Sequence, residues 1–399
     1  MKVLLVNDHA APVGGAEIMT LMLRDGLRER GHDARLFASS ARPGGILGSA
    51  DYECFGTISR FRTLLQTANP WAYGRLRRVL EAFEPDVVHV KLFLTQLSPL
   101  ILPLLRDVPS LYHVVWYRPI CPLGTKMLPD GTACRVRAGP ACYRNHCLPL
   151  HDWAPLMLQM RLWRRWRSAF DLIVANSDAI RLRLQADGID AHAVVWGGSP
   201  SRSPRGPLVG PPTVAFAGRL VREKGVDVLL RAFAAVAAAL PEARLLLAGD
   251  GPERERLRAL IADLGLSSRV SMLGYLPRAE LERQFDAAWV QVVPSRWAEP
   301  FGIVATDAMM RGTAVVASRS GGLAESVRDG ETGLLVPPDD VDALAAALLR
   351  PLRDRALAER MGSAGREVAL AGFGEGTFVE NFLRLYRTLV SKERAVDIG

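Results

Sequence analysis

Short continuous runs of apolar residues alternate with segments of helical period along almost the whole chain. Apolar residues recur at spacings of three and four in Glu17–Glu29, Val226–Ala239 and Arg254–Leu264, which predicts helices there. The apolar runs lack polar alternation, which is typical of strands in a parallel sheet covered by helices on both faces. The pattern therefore predicts an α/β fold with doubly wound parallel sheets. The predicted strands are Val3–Val6, Arg35–Ala38, Val87–Val90, Leu111–Val115, Leu172–Ala175, Ala193–Val195, Val214–Ala217, Arg244–Ala248, Val270–Met272, Val290–Val293, Val315–Ala317 and Leu334–Val336.

A length of 399 residues exceeds what one hydrophobic core usually serves, so two domains are expected. Prolines and small residues crowd into residues 197–212, with little hydrophobic content, and this is typical of a linker. We therefore predict a Rossmann-like domain over residues 1–200, a linker at 201–212 and a second such domain over 213–372. Open α/β sheets bind ligands at the carboxyl ends of their strands, so a cleft between the two domains is the expected site.

Composition narrows the classes of protein that fit. Hydrophobic residues make up 49% of the chain and charged residues 23%, which is typical of a globular protein. The longest stretch without a charge, residues 92–105, is interrupted by Pro99 and Pro103 and is too short to span a membrane. The first apolar run is too short for a secretory signal, and five cysteines are an odd count, so we expect a cytoplasmic protein.

The net charge of +8 is concentrated in the first half of the chain. Residues 1–200 carry 24 Lys and Arg against 17 Asp and Glu, which leaves 26 against 25 for the rest. A basic surface suits nucleic acid, an anionic membrane or a phosphorylated ligand. The chain has no Lys-rich run, zinc-finger spacing or RNP-like strand, so nucleic acid is not the expected partner.

In each of the two predicted domains, a glycine-containing turn follows the first strand. Gly14 and Gly15 open a helix whose free amides could bind an anion, although a tight turn without a ligand explains them equally well. Gly218 begins the second turn, and Arg219 and Lys224 follow it. These two cations could converge on a phosphate; the alternative is a solvated basic turn.

A third segment carries carboxylates around a predicted helix start. Glu299 precedes Pro300, the helix is predicted to begin near Phe301, and Asp307 lies about two turns in. The first amides of the helix, from Phe301 to Val304, could bind hydroxyls or phosphate oxygens, which suits a polyhydroxylated anionic ligand. The alternatives are a helix cap for Glu299 and a surface acid for Asp307.

Together these segments resemble the GT-B glycosyltransferases of the retaining glycosyltransferase family 4. The resemblance covers nearly the whole chain, and the combination of motifs in this order is specific. Its motifs are the first glycine turn, Gly218-Arg219-Leu220 with Lys224-Gly225, Ala248-Gly249-Asp250-Gly251-Pro252, Gly274-Tyr275-Leu276-Pro277, Glu299-Pro300-Phe301-Gly302, Gly321-Gly322-Leu323-Ala324-Glu325 and Gly330-Glu331-Thr332-Gly333-Leu334-Leu335-Val336.

The resemblance implies a nucleotide-sugar donor and roles for single residues. Arg219 and Lys224 would hold the diphosphate, with Gly14 and Gly15 nearby. Glu299 would contact the donor sugar at its anomeric centre.

Other parts of the donor would be met by the neighbouring segments. The amides of Phe301, Gly302, Ile303 and Val304 would bind sugar hydroxyls and phosphate. Asp307 stands where the family has the second Glu of its E-x7-E pattern, which binds the ribose. The loop Gly274-Tyr275-Leu276 would lie against the nucleobase.

The resemblance also bears on His113, on metals and on the last helix. His113 matches the family's histidine beside the donor sugar and acceptor, but Val114 replaces the usual Asp, and a buried structural histidine is the alternative. No D-x-D motif is evident, since Asp340-Val341-Asp342 fits a helix cap, so no metal cofactor is expected for catalysis. The family also implies retention at the anomeric carbon and a C-terminal helix, in residues 373–399, that crosses back to the first domain.

Cysteines cluster in a Pro- and Gly-rich insertion at residues 118–150. Their spacings of twelve, seven and four residues do not match the usual paired zinc ligands. Structural zinc and free thiols therefore remain equal alternatives, with disulfides less favoured. The cysteines concerned are Cys121, Cys134, Cys142 and Cys147.

A basic segment with interleaved tryptophans, Trp153–Phe170, predicts an amphipathic helix. It fits an anionic membrane surface, at the inner face of a membrane and near a lipid-linked acceptor, or a helix that packs internally with a solvated Arg face. The acceptor itself, whether a sugar, a lipid-linked glycan or a small molecule, is not specified by the sequence. Rivals to the transferase are a nucleotide-sugar epimerase, hydrolase or phosphorylase of the same fold, and a non-catalytic protein that binds anions or nucleic acid.

Overall fold

The computed structural model describes residues 1–12, 14–59 and 62–396, with side chains described as far as residue 391. It divides into two compact units. The first unit comprises residues 1–198 and the chain from Glu375 onward, and the second comprises Ser199–Gly374.

The first unit is built on one parallel sheet of seven strands in the order β3-β2-β1-β4-β5-β6-β7. Strand β1 is buried along almost its whole length, as expected for the centre of a doubly wound sheet. The strands are β1 (Lys2–His9), β2 (Asp33–Ser39), β3 (Tyr52–Cys54), β4 (Val87–Val90), β5 (Ser110–Val114), β6 (Leu172–Ala175) and β7 (Ala193–Val194). The helices are α1 (Gly15–Glu29), α2 (Arg62–Thr67), α3 (Pro70–Phe83), α4 (Pro140–Arg144), α5 (Leu150–Trp166) and α6 (Asp178–Ala186).

The second unit contains a parallel sheet of six strands in the order β10-β9-β8-β11-β12-β13. Apolar side chains of β8, β9 and β11 pack with the α7 helix into its largest hydrophobic cluster. The strands are β8 (Thr213–Ala217), β9 (Arg244–Ala248), β10 (Val270–Gly274), β11 (Val290–Val293), β12 (Ala314–Ser318) and β13 (Gly333–Val336). The helices are α7 (Val226–Ala239), α8 (Arg254–Asp263), α9 (Arg278–Gln284), α10 (Ile303–Met310), α11 (Leu323–Ser326), α12 (Val341–Arg353) and α13 (Arg355–Gly372).

The predicted fold class is confirmed, and each of the twelve predicted strands is present. Strand β3 was not predicted. It is only three residues long, carries Glu53 at its centre and forms the sheet edge, so it lacks the apolar run that marks the buried strands. The cap prediction at residue 340 is also confirmed, since the Asp340 carboxylate accepts the Ala343 amide at 2.8 Å.

Residues 201–212, predicted to be a linker, belong with Ser199 to the second unit and are packed on it. The Leu208 side chain is fully buried in the main cluster of that unit. Arg205 forms an ion pair with Glu359 at 2.8 Å, and the amide of Ser199 donates to the Phe373 carbonyl. This proline-rich segment is therefore held in place by specific contacts along the second unit.

The last helix, α14 (Glu375–Val396), groups with the first unit, where it packs against α1 and β4. Its buried aromatic side chains Phe378, Phe382 and Tyr386 lie against the histidines of β4 and β5. Among the described residues, no helix combines the length and the apolar character needed to cross a bilayer.

Candidate functional site

In the second unit, the loop between β11 and α10 presents Glu299 at the carboxyl end of the sheet. Gly302 caps α10 with a φ of 90°, a left-handed conformation that favours glycine. A Cβ at this position would also lie 2.4 Å from the Leu323 side chain. The chain can therefore turn sharply from the Glu299 loop into α10.

The Glu299 carboxylate is buried and accepts hydrogen bonds from neighbouring side chains. Its Oε1 accepts the Lys224 ammonium at 2.5 Å and the Ser295 hydroxyl at 2.6 Å. Burial alone would raise the pKa of Glu299, but the charge and hydrogen bond of Lys224, with the further hydrogen bonds, hold that pKa below its ordinary value. Glu299 is therefore ionised at neutral pH.

Lys224 and Arg219 lie on the same loop after β8 but in different environments. The Lys224 side chain is 17% exposed, and its ammonium lies 5.4 Å from the centre of the Trp297 ring. Arg219 is 69% exposed, and among the described residues its ion pair is a long one of 3.7 Å with Glu223. The structure thus brings Lys224 together with Glu299 and leaves the Arg219 guanidinium available to solvent-borne anions.

Two glycines behind the Glu299 loop support it. The Gly322 amide donates to the Glu299 carbonyl at 2.8 Å. Gly321 has a φ of 58°, and a Cβ there would lie 2.2 Å from the same carbonyl oxygen. Both glycines stand in a motif of the sequence, yet neither was among the predicted site residues. Their signal was the Gly-Gly pair that follows β12, whose role becomes visible only when the two loops are seen in contact.

The α10 helix begins at Ile303 and not near Phe301 as predicted, so the amides of Phe301 and Gly302 precede the helix. Ile303 and Val304 are its first residues, so their amides have no partner four residues earlier within the helix. Phe301 is buried and packs edge-on against Phe373, which fixes the start of the turn. These amides and the positive end of the helix dipole favour a negatively charged or hydroxyl-rich ligand.

Asp307 lies on the same helix, where it forms a two-point ion pair with Arg278. The two nitrogen to oxygen distances are 2.9 Å and 2.8 Å. The Asp307 side chain is 16% exposed, which does not fit the alternative of a solvated surface acid. A cavity of about 140 Å³ lies beside this pair. It is lined by Ala217, Gly218, Arg278, Leu281, Glu282, Phe285, Gln291, Val304, Asp307 and Arg311.

The loop after β10 approaches the same region. The Gly274 carbonyl accepts the Gly249 amide at 2.7 Å, which ties this loop to the end of β9. Leu276 packs with the apolar cluster that contains Phe285, whereas the Tyr275 ring is 71% exposed. An exposed aromatic ring on this loop suits stacking against a planar ligand.

In the first unit, Gly14 caps α1 and Gly15 is its first residue. Val13, in the same turn, lies outside the described residues. The Glu17 carboxylate lies so close to Gly14 that a Cβ there would be 2.9 Å from its Oε2. Burial raises the pKa of Glu17, and the nearby charges of His9 and Lys91 oppose that rise only in part. The structure therefore adds Glu17 and Lys91, which sequence reasoning missed, to the region of the first glycine turn.

His113 is fully buried within the first unit and packs against the rings of Phe378 and Phe382 from α14. Neither ring nitrogen has a hydrogen-bond partner among the described residues. Burial holds the pKa of His113 well below its ordinary value, and the charge of Lys91 lowers it further. This packing is compatible with the structural alternative, and the contact of His113 with a donor sugar stays a prediction.

The cysteines of residues 118–150 are all free thiols. Burial raises the pKa of Cys142, and the neighbouring thiols of Cys121 and Cys134 add to the effect. In the part of the chain that the structure describes, no three His, Cys, Asp or Glu side chains are arranged to hold a metal ion. A buried Lys126 pins the insertion instead, through the Val136 carbonyl at 2.7 Å and Asp187 at 3.4 Å.

The basic helix predicted at Trp153–Phe170 is α5. Its Trp163 is fully buried, with its indole N–H donating to the Pro119 carbonyl, and Leu156 and Met160 are buried beside it. Arg161, Arg164 and Arg165 point to solvent. The helix therefore packs its apolar stripe internally, as the second interpretation of the sequence proposed.

Both halves of the chain match known families. Residues 13–198 match the family described as Glycosyltransferase Family 4, and residues 201–368 match Glycosyl transferases group 1. With its two parallel-sheet units, the protein has the GT-B fold. The chain contains the family 4 domain and the group 1 domain of the glycosyltransferases, as the sequence motifs predicted.

Relatives and solved structures agree with this assignment. The chain is 29% identical to the phosphatidyl-myo-inositol mannosyltransferase of Mycobacterium leprae over 416 residues, which cover 100% of both proteins. An exopolysaccharide phosphotransferase of Streptomyces coelicolor is 38% identical over 190 residues, 47% of this chain but only 20% of that protein.

Among solved structures, the sucrose-phosphate synthase of Thermosynechococcus elongatus has a TM-score of 0.75 at 25% identity and covers 98% of this chain and 100% of its own. HepE of Anabaena, crystallised with UDP and glucose, has a TM-score of 0.68 at 22% identity and covers 96% of this chain and 99% of its own. These matches do not favour an epimerase, a hydrolase or a non-catalytic binding protein.

Proposed function

We propose that this protein transfers a sugar from a nucleotide-sugar donor to an acceptor hydroxyl with retention of the anomeric configuration. The observation that carries the proposal is the buried, ionised Glu299, which is bound by Lys224 and Ser295 and lies on the loop that leads into α10. A fixed negative charge next to helix amides suits a ligand that develops positive charge at one centre and carries hydroxyls and phosphate around it.

The leaving diphosphate needs cations and amide donors. Lys224 is held at the site, Arg219 is exposed on the same loop, and the amides from Phe301 to Val304, around the start of α10, complete the set. Together they would bind the charge that grows on the departing nucleoside diphosphate without a metal ion. For Gly14 and Gly15, contact with the diphosphate stays a prediction.

The transfer step would proceed on one face of the sugar. The bond between the anomeric carbon and the leaving phosphate oxygen breaks, and the acceptor oxygen bonds to that carbon from the same face. The departing phosphate oxygen takes the hydroxyl proton, so no separate base is required. Glu299 would orient the sugar and stabilise positive charge at the anomeric carbon.

The nucleoside end of the donor would occupy the cavity beside Asp307. Asp307 would accept the ribose hydroxyls, and the loop Gly274-Tyr275-Leu276 would lie against the base, where the exposed Tyr275 ring is available for stacking. The apolar wall formed by Leu281, Phe285 and Val304 suits a planar heterocycle.

For the acceptor, the similarity to a phosphatidyl-myo-inositol mannosyltransferase supports a lipid-linked hydroxyl compound. Such an acceptor would bring the protein to the surface of a membrane. The exposed arginines of α5 are available for that contact. Absence of salt-sensitive binding to anionic vesicles would remove this part of the proposal.

One structural zinc in the cysteine insertion also remains a proposal. Because the described thiols do not form a ready metal site, zinc binding would have to draw them together as thiolates. Metal analysis of protein purified without chelator tests this. About one equivalent supports zinc, and less than about 0.2 equivalents argues for free thiols.

The decisive experiment on function has two stages. A thermal-shift panel of UDP, GDP, ADP, dTDP and their sugar conjugates identifies the donor, since a ligand at 100 times its dissociation constant stabilises by about 2.7 kcal/mol. Transfer from that donor to candidate acceptors is then followed by NMR of the anomeric proton, and we expect the donor's configuration in the product. Inverted product would overturn retention.

A donor-only reaction tests the rival activities. Rapid, stoichiometric release of nucleotide with free or epimerised sugar would favour a hydrolase or an epimerase. If no nucleotide bound, while a random oligonucleotide bound at physiological salt, the catalytic proposal would fail.

A further inference from the structure

The Asp307 carboxylate is already bound by a side chain of the protein, Arg278. Arg278 Nη1 donates to its Oδ2 at 2.9 Å, and Arg278 Nη2 lies 2.8 Å from its Oδ1. Arg278 Nε meanwhile donates to Glu282 at 2.8 Å. The guanidinium is thus held at both ends, and because its fork is planar it fixes the plane of the Asp307 carboxylate.

Arg278 reaches Asp307 from a defined position. It is the first residue of α9 and follows directly on Gly274-Tyr275-Leu276-Pro277. Asp307 comes from α10, 29 residues further along the chain. The pair therefore joins the loop after β10 to the helix that follows the Glu299 loop, and both residues line the cavity next to Gly218.

The chemistry of this pair leaves room for a ligand. Two carboxylate oxygens offer about four lone-pair sites; Oδ2 uses one to accept the hydrogen bond from Arg278, whereas Oδ1, although within ion-pair distance of Nη2, has no hydrogen-bond partner among the described residues. The remaining sites can accept two neighbouring hydroxyls, such as the 2′ and 3′ hydroxyls of a ribose. A short Asp side chain has few conformations, so a guanidinium that fixes its plane decides where those sites point.

We propose that Arg278 is a positioning residue that aims the Asp307 carboxylate at the ribose hydroxyls of the donor nucleotide and so makes the site select ribonucleotides over 2′-deoxyribonucleotides. This inference rests on the proposed function, because it assigns the nucleoside of the donor to the cavity beside Asp307.

The test is calorimetric titration with the nucleoside diphosphate that binds best among UDP, GDP and ADP, and with its 2′-deoxy analogue. Wild-type protein should prefer the ribonucleotide by about tenfold to a hundredfold, the range for hydrogen bonds to a charged group. Arg278→Leu and Asp307→Ala should each reduce that preference to within about threefold. Binding of the deoxy analogue should change by less than the loss for the ribonucleotide.

A matched control is available on the same helix. Arg283 also lies on α9, is 76% exposed, pairs only with Glu280 in the described contacts and does not line the cavity. Arg283→Leu should keep the wild-type preference. If Arg278→Leu does not fold, Arg278→Lys decides, because it keeps the charge but cannot make the two-point contact, and the preference should fall by at least half.

The outcomes separate the inference from the proposed function. If no nucleotide binds the wild type, the proposed function fails. If a ribonucleotide is preferred and Arg278→Leu keeps that preference, the inference is overturned while the donor site stands. Tighter ribonucleotide binding by Arg278→Leu would also overturn it, because Arg278 would then compete with ribose for Asp307.

Discussion

Both units bury charged side chains near their first glycine turns, but these side chains differ in how they are paired and in the direction of their pKa shifts. In the second unit, Glu299 is paired with Lys224 at 2.5 Å, and its pKa lies below the ordinary value. In the first unit, the Lys91 ammonium has no hydrogen-bond partner among the described residues, and burial lowers its pKa to about 7. Glu17 nearby has a raised pKa.

The difference follows from the balance between desolvation and pairing. Removing an ion from water costs several kcal/mol, and a close partner with further hydrogen bonds offsets that cost. The second unit therefore holds fixed charges, as stabilisation of a diphosphate and an anomeric centre requires. The first unit holds the buried Lys91, whose pKa is about 7, near His89, His113 and the ring of Phe378.

The largest effect should come from removing the fixed charge. Glu299→Gln keeps the shape of the side chain but loses its charge, so under the proposed mechanism the positive charge at the anomeric carbon would lose the anion that stabilises it. We expect kcat to fall about a hundredfold to a thousandfold, measured as sugar transfer at saturating donor. Glu255→Gln, an exposed residue of α8, should keep wild-type activity.

Glu299 also predicts a pH dependence of stability. Because its pKa is lowered in the folded protein, its pairing stabilises the fold above the ordinary carboxyl value of 4.5 and is lost as the pH falls through the folded pKa. Thermal unfolding of the wild type should therefore lose stability below pH 4.5 relative to Glu299→Gln. If the unfolding temperatures of the two proteins changed in parallel with pH, the pairing of Glu299 would not contribute to the pH dependence of stability.

The second-largest effect should appear in the first unit, where removing a charge is expected to improve the protein's stability. Lys91→Met replaces an unpaired buried ammonium with an apolar side chain of similar length, so we expect a gain in stability on the order of 3 kcal/mol at pH 7. Because the folded pKa is near 7 and the ordinary value is 10.5, wild-type stability should rise across this interval. The advantage of the variant should shrink accordingly by pH 10, as followed by thermal unfolding.

A paired lysine of the same unit serves as the control. Lys126 is also buried but bonds to the Val136 carbonyl and to Asp187. Lys126→Met should therefore destabilise the protein. If Lys91→Met were destabilising too, the contrast between paired and unpaired buried charges would not hold.

The smallest effect should come from removing the exposed cation Arg219. Arg219→Ala should weaken binding of the donor diphosphate about tenfold to a hundredfold by calorimetry. The unfolding temperature of the free protein should stay unchanged, because the exposed ion pair of 3.7 Å contributes little. Arg222→Ala on the same loop should bind like the wild type, and equal losses in both variants would point to a general charge effect.

Much of the fold and part of the site could be predicted from the sequence. Continuous apolar runs marked β4, β6, β9 and β11 with correct bounds, because such strands are buried on both faces and their composition reflects that directly. The motif around Glu299 also matched its local structure, since Gly302 takes the left-handed conformation that caps α10 directly after the Glu299 loop. Strand β3 and the supporting role of Gly321 escaped, because neither has a local pattern of its own.

By itself, the sequence determined the α/β class, the order of the strands along the chain and the glycosyltransferase domains, since periodicity and motif spacing are local properties. The tertiary structure alone decided which charges meet: Lys224 with Glu299 across 75 positions, and Arg278 with Asp307 across 29. It also placed His113 under α14 and left Lys91 without a partner among the described residues. The physical reason is that pKa and positioning depend on neighbours supplied by distant elements, which only the packing of the chain brings together.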